Sequence, residues 1–296
     1  MKGAKAPARW QADLALALVA LVWGATFVVV KSALAEISTI YFLALRFTLA
    51  ALSMLLMFAG AFRQAGGRAV RQGLAGGAVA GIFLWLGYVL QTFGLKYTTA
   101  GKSGFLTGFY IALVPVLSAL VYRRWPQPRE LIGIAVATAG MVWMTLPADS
   151  GFSLNRGDLL TLGCALAFAI HLLVLGYYSQ RELVQAVALG QIVCCAVLSL
   201  ASLAWEPPVA IWSGNVLFAI ALTAIFATAF AFALQTWGQK YTSATRTALI
   251  FALEPVFALV TAVLIGREAL TRQALAGGAL ILAGILTVEL KPSPRT

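Results

Sequence analysis

The sequence predicts an all-α membrane protein of ten transmembrane helices, arranged as two inverted five-helix repeats. Three observations support this fold class: the composition, the long apolar stretches, and a motif that occurs twice, about half the chain apart. Hydrophobic residues make up 61% of the chain and charged residues 10%, with a mean hydropathy of +0.91. Soluble domains carry about 25% charged residues, so this composition excludes an ordinary soluble fold.

Ten apolar stretches give the positions of the helices. Most of them approach the ~20 residues that a helix needs to cross about 30 Å of hydrocarbon, and the fifth is the shortest. Backbone N–H and C=O groups cannot stay unpaired in lipid, so each stretch is predicted to be a helix. The stretches lie at 13–34, 40–60, 73–93, 103–122, 130–146, 158–178, 185–204, 215–236, 246–265 and 272–290.

The second half of the chain repeats the first. The segment Phe-Gly-Leu-Lys-Tyr-Thr-Thr-Ala at 93–100 returns as Trp-Gly-Gln-Lys-Tyr-Thr-Ser-Ala at 237–244, which is 144 residues later. Further pairs at offsets of 144 or 145 are Lys102 and Arg246, Gly133 and Gly277, Gly140 and Gly284, Asp13 and Asp158, Trp23 and Phe168, and Arg46 and Gln191. The chain therefore reads as one duplicated unit.

Five helices in each repeat make the repeats inverted. We assign residues 1–146 to the first repeat, 157–290 to the second, and 147–156 to the connecting loop. Because five is odd, the second repeat enters the membrane from the opposite face, and a pseudo-two-fold axis in the membrane plane relates the two. Exchanging the conformations of such repeats converts an outward-open state into an inward-open one, so the duplication points to transport.

Lysine and arginine predict the orientation. If the N-terminus is cytoplasmic, the cytoplasmic segments carry 14 of the 21 basic residues and the opposite segments carry 6. This bias favours a multi-pass protein of the inner (cytoplasmic) membrane with both termini in the cytoplasm. The net charge of +11 is scattered over short loops. That pattern favours contact with anionic lipid headgroups over nucleic-acid binding.

Several short motifs occur in a fixed order along the chain. They are Val22-Trp23-Gly24-Ala25-Thr26-Phe27, Leu43-Ala44-Leu45-Arg46-Phe47, Gly94-Leu95-Lys96-Tyr97-Thr98-Thr99-Ala100, Leu253-Glu254-Pro255-Val256-Phe257 and Gly266-Arg267-Glu268. Together they resemble the drug/metabolite transporter superfamily, EamA type, over nearly the whole chain. The resemblance implies a secondary transporter or exporter of small metabolites, with a central cavity mainly between spans 1, 3, 4, 6, 8 and 9. It does not imply a substrate, and Gln191 stands where the pattern expects an equivalent of Arg46.

Polar side chains inside the spans mark the candidate substrate contacts. They are costly in lipid and usually face a cavity or each other. Several share helix faces with aromatic residues. Ordinary packing also produces such stripes and stays open, but the polar members favour a cavity lined by aromatic rings with a few hydrogen-bonding groups. The predicted cavity residues are Trp23, Thr26, Phe27, Tyr88, Gln91, Thr107, Tyr110, Phe168, His171, Phe251 and Glu254.

Glu254 is the strongest single candidate, because it lies near the middle of the ninth span, directly before Pro255. A carboxyl group buried there is costly to ionise, so it is suited to bind a proton and couple it to transport. A structural partnership with the kinked backbone or with a cation is the alternative. His171 is the second candidate for proton coupling, with a hydrogen-bonded core role as its alternative. Pro115 and Pro255 are predicted hinges, unless they serve packing alone.

The remaining cations and thiols receive structural roles at this stage. Arg46 is predicted to pair with a helix end or a carboxylate, with substrate contact as the alternative. Three lysines, Lys31, Lys96 and Lys102, are predicted to snorkel to the outer interface. The cysteines at 164, 194 and 195 all lie inside spans and lack the spacing of metal ligands or of a disulfide framework, so they are predicted to be small core residues.

These features predict a secondary-active transporter that moves a small metabolite such as an amino acid, with export favoured. The alternatives are another organic solute, such as a nucleoside, sugar or quaternary amine, and a passive facilitator without ion coupling. One histidine and ten acidic residues argue against a membrane enzyme, and no Gly-x-x-x-x-Gly-Lys-Ser/Thr pattern indicates an ATP-driven pump. No catalytic residue, metal or cofactor is predicted. The predicted partners are a small-molecule substrate and membrane lipids but no nucleic acid, and a monomer is favoured with a dimer left open.

The topology is testable with single cysteines in a cysteine-free background. We expect Arg68→Cys to react with a membrane-impermeant maleimide only in inside-out vesicles, because residue 68 follows two predicted spans. Ala148→Cys is the matched control, since it follows five spans and is expected to react in intact cells. Labelling of position 68 from outside the cell would invert the topology.

Overall fold

Each predicted stretch folds as one helix or as consecutive helices in the computed structural model, which describes residues 7–98, 100–123, 125–145, 155–264 and 270–289. The helices of the first half are α1 (Arg9–Ala33), α2 (Thr39–Gln64), α3 (Gly67–Tyr97), α4 (Ala100–Gly108), α5 (Tyr110–Tyr122) and α6 (Pro128–Thr145). Those of the second half are α7 (Arg156–Ser179), α8 (Val184–Ala201), α9 (Gly214–Ala224), α10 (Ala231–Tyr241), α11 (Ala244–Phe251), α12 (Glu254–Leu264) and α13 (Arg272–Glu289). A π-helical turn, Ile225–Phe230, joins α9 to α10 without a break. Residues 147–154 of the predicted connecting loop and the motif at 266–268 lie outside the described residues.

The lengths and hydropathies of the helices confirm a multi-pass, all-α membrane protein. In the described part of the chain, eight helical segments are long and apolar enough to cross a membrane: α1, α2, α3, α4–α5, α7, α8, α9–α10 and α11–α12. The other two predicted spans, α6 and α13, have 18 residues each and do not meet the same limits. They pack extensively against each other, so each is covered along one side by protein.

The crossing of α6 and α13 shows that the halves are inverted. A Cβ atom added to Gly140 would lie 2.6 Å from the Gly277 carbonyl oxygen, and one added to Gly277 would lie 2.6 Å from the Gly140 carbonyl oxygen. Gly133 meets Gly284 in the same reciprocal way. Since the later glycine of one helix meets the earlier glycine of the other, the two helices run antiparallel. They are equivalent by sequence, so the two halves run in opposite directions through the membrane.

Two ion pairs, equivalent by the repeat, connect the two halves. Arg246 donates to both carboxylate oxygens of Asp13, at 2.9 and 2.7 Å, and joins the start of α11 to the start of α1. Lys102 Nζ lies 2.6 Å from the Asp158 carboxylate and joins α4 to α7 in the equivalent way. The prediction that Lys102 snorkels is therefore wrong. The Asp158 side chain is fully buried, and a buried carboxylate needs a counter-charge that Lys102 provides.

Lys96 also forms an ion pair, at the exposed C-terminal end of α3, and its snorkelling stays a prediction. Its Nζ lies 2.9 Å from Glu206 Oε1, and Glu206 Oε2 accepts a 2.6 Å hydrogen bond from the backbone N–H of Ile40 in the first turn of α2. One carboxylate thus connects the C-terminus of α3 with the N-terminus of α2, where negative charge is favoured. Lys31 is exposed near the end of α1.

Backbone hydrogen bonds close the same face of the molecule. Ser38 N donates to Val209 O at 2.8 Å, and Ile211 N donates to Glu36 O at 2.8 Å. These bonds join the α1–α2 loop to the segment before α9. We call this contact the loop clasp. At the equivalent place on the opposite face, the described α2–α3 and α7–α8 loops make no such backbone pairing. The two faces therefore differ although the helices repeat.

Two helices are interrupted at equivalent positions, Phe109 between α4 and α5, and Leu253 between α11 and α12. Pro255 explains the second interruption, because it leaves the carbonyl of Phe251 without its usual helical donor. Pro115 lies within α5, past the first interruption, so it does not cause that break. The two breaks therefore match by the repeat, but a proline explains only the second. The hinge role of both prolines stays a prediction.

The glycine crossing makes a stability prediction. We expect Gly140→Ala to destabilise the protein by about 1–3 kcal/mol, because the new methyl group would be forced against the backbone of α13. Gly60→Ala is the control, since nothing lies within 4 Å of a Cβ there and alanine is the better helix former. Thermal unfolding of both variants in the same detergent measures the difference. Equal stabilities would contradict the close crossing.

Candidate functional site: a central cavity between the repeats

A cavity lies between the two halves, beside both helix interruptions and the π-helical turn. Its volume is about 80 Å³, and side chains from α1, α2, α3, α4, α5, α7, α10, α11 and α12 line it. The resemblance implied spans 1, 3, 4, 6, 8 and 9. The structure adds span 2, through Phe42 and Arg46.

Ten of the eleven predicted cavity residues lie around this one space. They are Trp23, Thr26, Tyr88, Gln91, Thr107, Tyr110, Phe168, His171, Phe251 and Glu254. The eleventh, Phe27, lies in α1, but its side chain is outside the described part of the structure. The structure therefore brings the predicted set together, while their contact with a substrate stays a prediction.

Aromatic rings form one continuous wall of the cavity. The Trp23 ring centroid lies 5.2 Å from that of Phe232 and 5.1 Å from that of Phe251. Tyr88 extends the wall, with ring centroids 5.5 Å from Phe168 and 6.3 Å from Phe232. These tilted and edge-on contacts are the arrangements that aromatic pairs prefer. The wall presents a rigid apolar surface to anything inside.

The π-helical turn supplies a backbone carbonyl to this wall. Trp23 Nε1 donates to Ala227 O at 2.9 Å, and Arg46 Nη2 lies 3.4 Å from the same oxygen. Arg46 Nε also donates to Thr228 Oγ1 at 2.7 Å, and its Nη2 lies 3.2 Å from the Tyr88 hydroxyl. Among the described residues, no carboxylate pairs with Arg46. The expected partnership with a carboxylate is therefore wrong, and Arg46 bonds hydroxyls and a carbonyl instead.

Two short hydrogen-bond chains fix the other polar groups. Gln91 Nε2 donates to Thr107 Oγ1 at 3.1 Å and links α3 to α4. Across the cavity, His171 Nε2 lies 2.8 Å from Gln191 Oε1, and Gln191 Nε2 donates to Thr236 Oγ1 at 3.0 Å. Gln191 occupies the position in the second repeat that Arg46 has in the first, and it orients His171, the only histidine of the chain. Fixed amides and hydroxyls of this kind suit a small polar solute.

Glu254 is the first residue of α12, directly after the helix interruption. Its carboxyl group lines the cavity, is partly exposed to it, and makes no hydrogen bond or ion pair with any described residue. The proposed structural partnership with a cation is therefore absent from the described residues. Gly24 of α1 fixes the position of Glu254, because a Cβ at Gly24 would lie 2.5 Å from the Glu254 carbonyl oxygen.

The sequence reasoning missed Phe232 and Gln235, which both line the cavity from α10. The internal repeat would have found them. Tyr88 lies 144 residues before Phe232 and Gln91 lies 144 residues before Gln235. Further lining residues pair in the same way: Tyr110 with Glu254, Thr107 with Phe251, Trp23 with Phe168, and Thr26 with His171. Because equivalent residues of both repeats face it, the cavity lies on the pseudo-two-fold axis.

The cavity extends farther toward one face of the membrane than toward the other. In α3 its lining runs from Leu84 to Leu95, and in α1 from Trp23 to Val30, which is the C-terminal half of each helix. Those halves lead to the face that carries the loop clasp. In α10 the lining ends at Gln235, the repeat equivalent of Gln91, whereas on the clasp side it continues past Gln91 to Leu95. A cavity on the axis of inverted repeats is the arrangement of a helical membrane transporter.

Comparison with known proteins identifies the family. The profile of the EamA-like transporter family matches residues 10–146 and again residues 155–290. The chain therefore belongs to the EamA-like transporter family, within the drug/metabolite transporter superfamily, and the resemblance in its motifs is confirmed.

Relatives and a solved structure agree with this assignment. An uncharacterized transporter of Archaeoglobus fulgidus is 36% identical over 289 residues, covering 98% of this chain and 89% of that protein. The uncharacterized transporter YyaM of Bacillus subtilis is 24% identical, covering 90% of this chain and 89% of its own length. A crystal structure with 20% identity superposes with a TM-score of 0.76, covering 96% of this chain and 98% of that one, and it supports the fold.

Gly24 gives a direct test of the site. We expect Gly24→Ala to displace α12 or lower the stability by about 1–3 kcal/mol, because the methyl group would overlap the backbone at Glu254. Gly104→Ala in α4 is the control, since a Cβ there meets nothing within 4 Å. Thermal unfolding in detergent, together with thiol accessibility of Glu254→Cys in each background, measures both effects. Unchanged stability and unchanged labelling would show that α1 does not position Glu254.

Proposed function

We propose that this membrane transporter is a secondary-active carrier of a small organic metabolite, with an amino acid as the first candidate and export as the direction. The observation that carries the proposal is the position of the cavity on the pseudo-two-fold axis between inverted repeats. A solute bound there contacts both halves at equivalent depths. Exchange of the two conformations would then carry access from one face to the other.

The chemistry of the lining supports a small, partly apolar solute. The wall around Trp23 and Phe232 offers apolar contact. The amides of Gln91 and Gln235 and the hydroxyl of Tyr110 offer hydrogen bonds. An amino acid suits both surfaces, because an apolar side chain can contact the aromatic wall while the amino and carboxyl groups form hydrogen bonds. Nucleosides, sugars and quaternary amines remain alternative solutes, since each has part of this chemistry.

Glu254 is the proposed coupling group. A carboxyl group without a protein partner in a membrane cavity is stable when it binds a proton or a cationic group of the solute. Either event would tie the state of Glu254 to the loading of the cavity. His171 is the secondary candidate, restrained by its hydrogen bond to Gln191. A passive facilitator without ion coupling is the competing proposal.

We further propose an inner-membrane location with both termini in the cytoplasm, and a monomer as the working unit. The basic residues on the N-terminal side support the orientation. With that orientation, the longer side of the cavity points toward the outer face. A monomer suffices because both repeats of one chain build the cavity. A dimer of such complete units stays an alternative.

Glu254→Gln tests the coupling. We expect the variant to fold but to lose accumulation driven by a proton gradient, by about tenfold or more, because an amide keeps the shape and cannot exchange a proton or balance an ammonium group. Purified protein in proteoliposomes, with a panel of radiolabelled amino acids and nucleosides and with or without an imposed proton gradient, measures this.

Glu182→Gln is the matched control, because Glu182 lies in the α7–α8 loop, away from the cavity. It is expected to transport like the wild type. Gradient-driven accumulation by folded Glu254→Gln protein at the wild-type rate would reduce Glu254 to a packing residue. Wild-type flux that ignores the gradient would favour the passive facilitator.

A further inference from the structure

Arg46 is a buried cation whose hydrogen-bonding capacity is only partly used. The residue is 4% exposed and lies in the span-2 wall of the cavity. A guanidinium has five N–H groups. The bonds from Nε and Nη2 to Thr228, Tyr88 and Ala227 account for three of them. Those partners hold the guanidinium in one orientation.

Arg46 lines the cavity, and its remaining nitrogen is Nη1. It makes no hydrogen bond to any described residue, and it is not among the described polar atoms that are sealed from solvent without a partner. Arg46 also stacks on its surroundings, with Cζ 4.8 Å from the Tyr88 ring centroid. The two N–H groups on Nη1 are therefore presented, at a fixed place, to whatever occupies the cavity.

Among the described residues, no carboxylate forms an ion pair with Arg46. The ion pairs of the described residues use Asp13, Asp158 and Glu206, all away from the cavity. Glu254 is the one acidic side chain in the lining, and it does not pair with Arg46. A cation inside a membrane protein is costly without an anion, so an anionic group bound in the cavity would relieve that cost.

We infer that Arg46 is the anion subsite of the cavity and that the transported solute carries a carboxylate, which accepts hydrogen bonds from Nη1. This inference rests on the proposed transport function and deepens it. The described lining therefore contains one fixed cation, Arg46, and one acid, Glu254. Glu254 occupies the position that Tyr110 has in the first repeat. A zwitterion with one carboxylate and one ammonium group matches both. A phosphate dianion does not, because Glu254 would oppose its second charge.

The duplication gives this subsite a single location. The repeat equivalent of Arg46 is Gln191, which is engaged with His171 and Thr236. The cavity is therefore polarised although its backbone is pseudo-symmetric. The solute is expected to keep its carboxylate on the α2 side throughout the cycle, while its apolar side chain lies along the ring of Trp23.

A set of probes that differ by one charged group tests the inference. We would measure binding to purified wild-type protein from ligand-induced thermal stabilisation, with L-phenylalanine, 3-phenylpropionate, phenethylamine and L-phenylalaninamide, and with the corresponding leucine set. We expect the carboxylate-bearing probes to bind about 10- to 100-fold more tightly than the amine or the amide of the same skeleton, since hydrogen bonds to a charged group are lost. Equal affinity for acid and amide, or no binding of any carboxylate probe, would overturn the inference.

Substitutions then assign the effect to this residue. Arg46→Gln is expected to abolish the preference for carboxylate over amide, whereas Arg46→Lys keeps the charge and retains part of it. Lys96→Gln is the control, because it removes a cation near the same face that does not line the cavity. A purely structural role of Arg46 would weaken all probes equally and leave the preference unchanged. The wild-type comparison of acid and amide needs no variant to fold.

The transport assay separates the two levels of the argument. If wild-type proteoliposomes bind carboxylate probes but move none of them, the proposed function fails while the anion subsite stands. If Arg46→Gln protein transports the wild-type solute with unchanged affinity, the subsite fails while the transport function stands.

Discussion

The need to keep every backbone polar group paired inside the bilayer is the constraint on which this structure depends. Irregular backbone is tolerated at membrane depth only where protein or a polar cavity covers it. Away from their ends, the described spans depart from regular helix at three such places: the interruption at Phe109, the interruption at Leu253, and the π-helical turn Ile225–Phe230. All three lie around the central cavity. The Ala227 carbonyl oxygen in the turn accepts hydrogen bonds from Trp23 and Arg46. The side chains that satisfy this backbone oxygen therefore also line the cavity.

The duplication sets the backbone positions around the cavity, and the different side chains at equivalent positions set its chemistry. The positions of the cavity residues are paired by the repeat, but the side chains in a pair often differ. Tyr110 is equivalent to Glu254 by the repeat, Thr26 to His171, and Arg46 to Gln191. An acid, a histidine and a guanidinium therefore occur once each. A symmetric frame allows the two conformations to exchange, whereas asymmetric side chains allow the cavity to hold a polar solute in one orientation.

Much of the fold could be predicted from the sequence, because apolar length and the internal repeat are strong local signals. The cavity set could be predicted almost as well, since polar residues inside spans have few places to go. The errors involve contacts between distant segments. Local sequence predicts that Lys102 reaches the interface, but Asp158 lies 56 residues away along the chain and meets it only after folding. The partner of Lys96, Glu206, is equally invisible to local sequence, since it lies 110 residues away. Phe232 and Gln235 look like ordinary apolar-helix residues until the 144-residue offset is applied to the third span.

Under the proposed alternating access, the two ion pairs would limit which helices can move apart. Asp13–Arg246 and Asp158–Lys102 are equivalent by the repeat, lie at opposite faces, and are both formed in the same state. If the repeats exchange conformations, each pair takes on the geometry of the other, so both stay formed. Breaking such a pair would also leave a buried charge unbalanced, at a cost of about 3–5 kcal/mol. The pairs therefore act as braces that keep α1 with α11 and α4 with α7 in either state. The loop clasp differs, because it has no counterpart among the described loops of the other face. Under alternating access, the motion would then occur between the pair α1–α11 and the pair α4–α7, across the cavity that Arg46 and Glu254 line. The loop clasp is a contact in which the two faces differ.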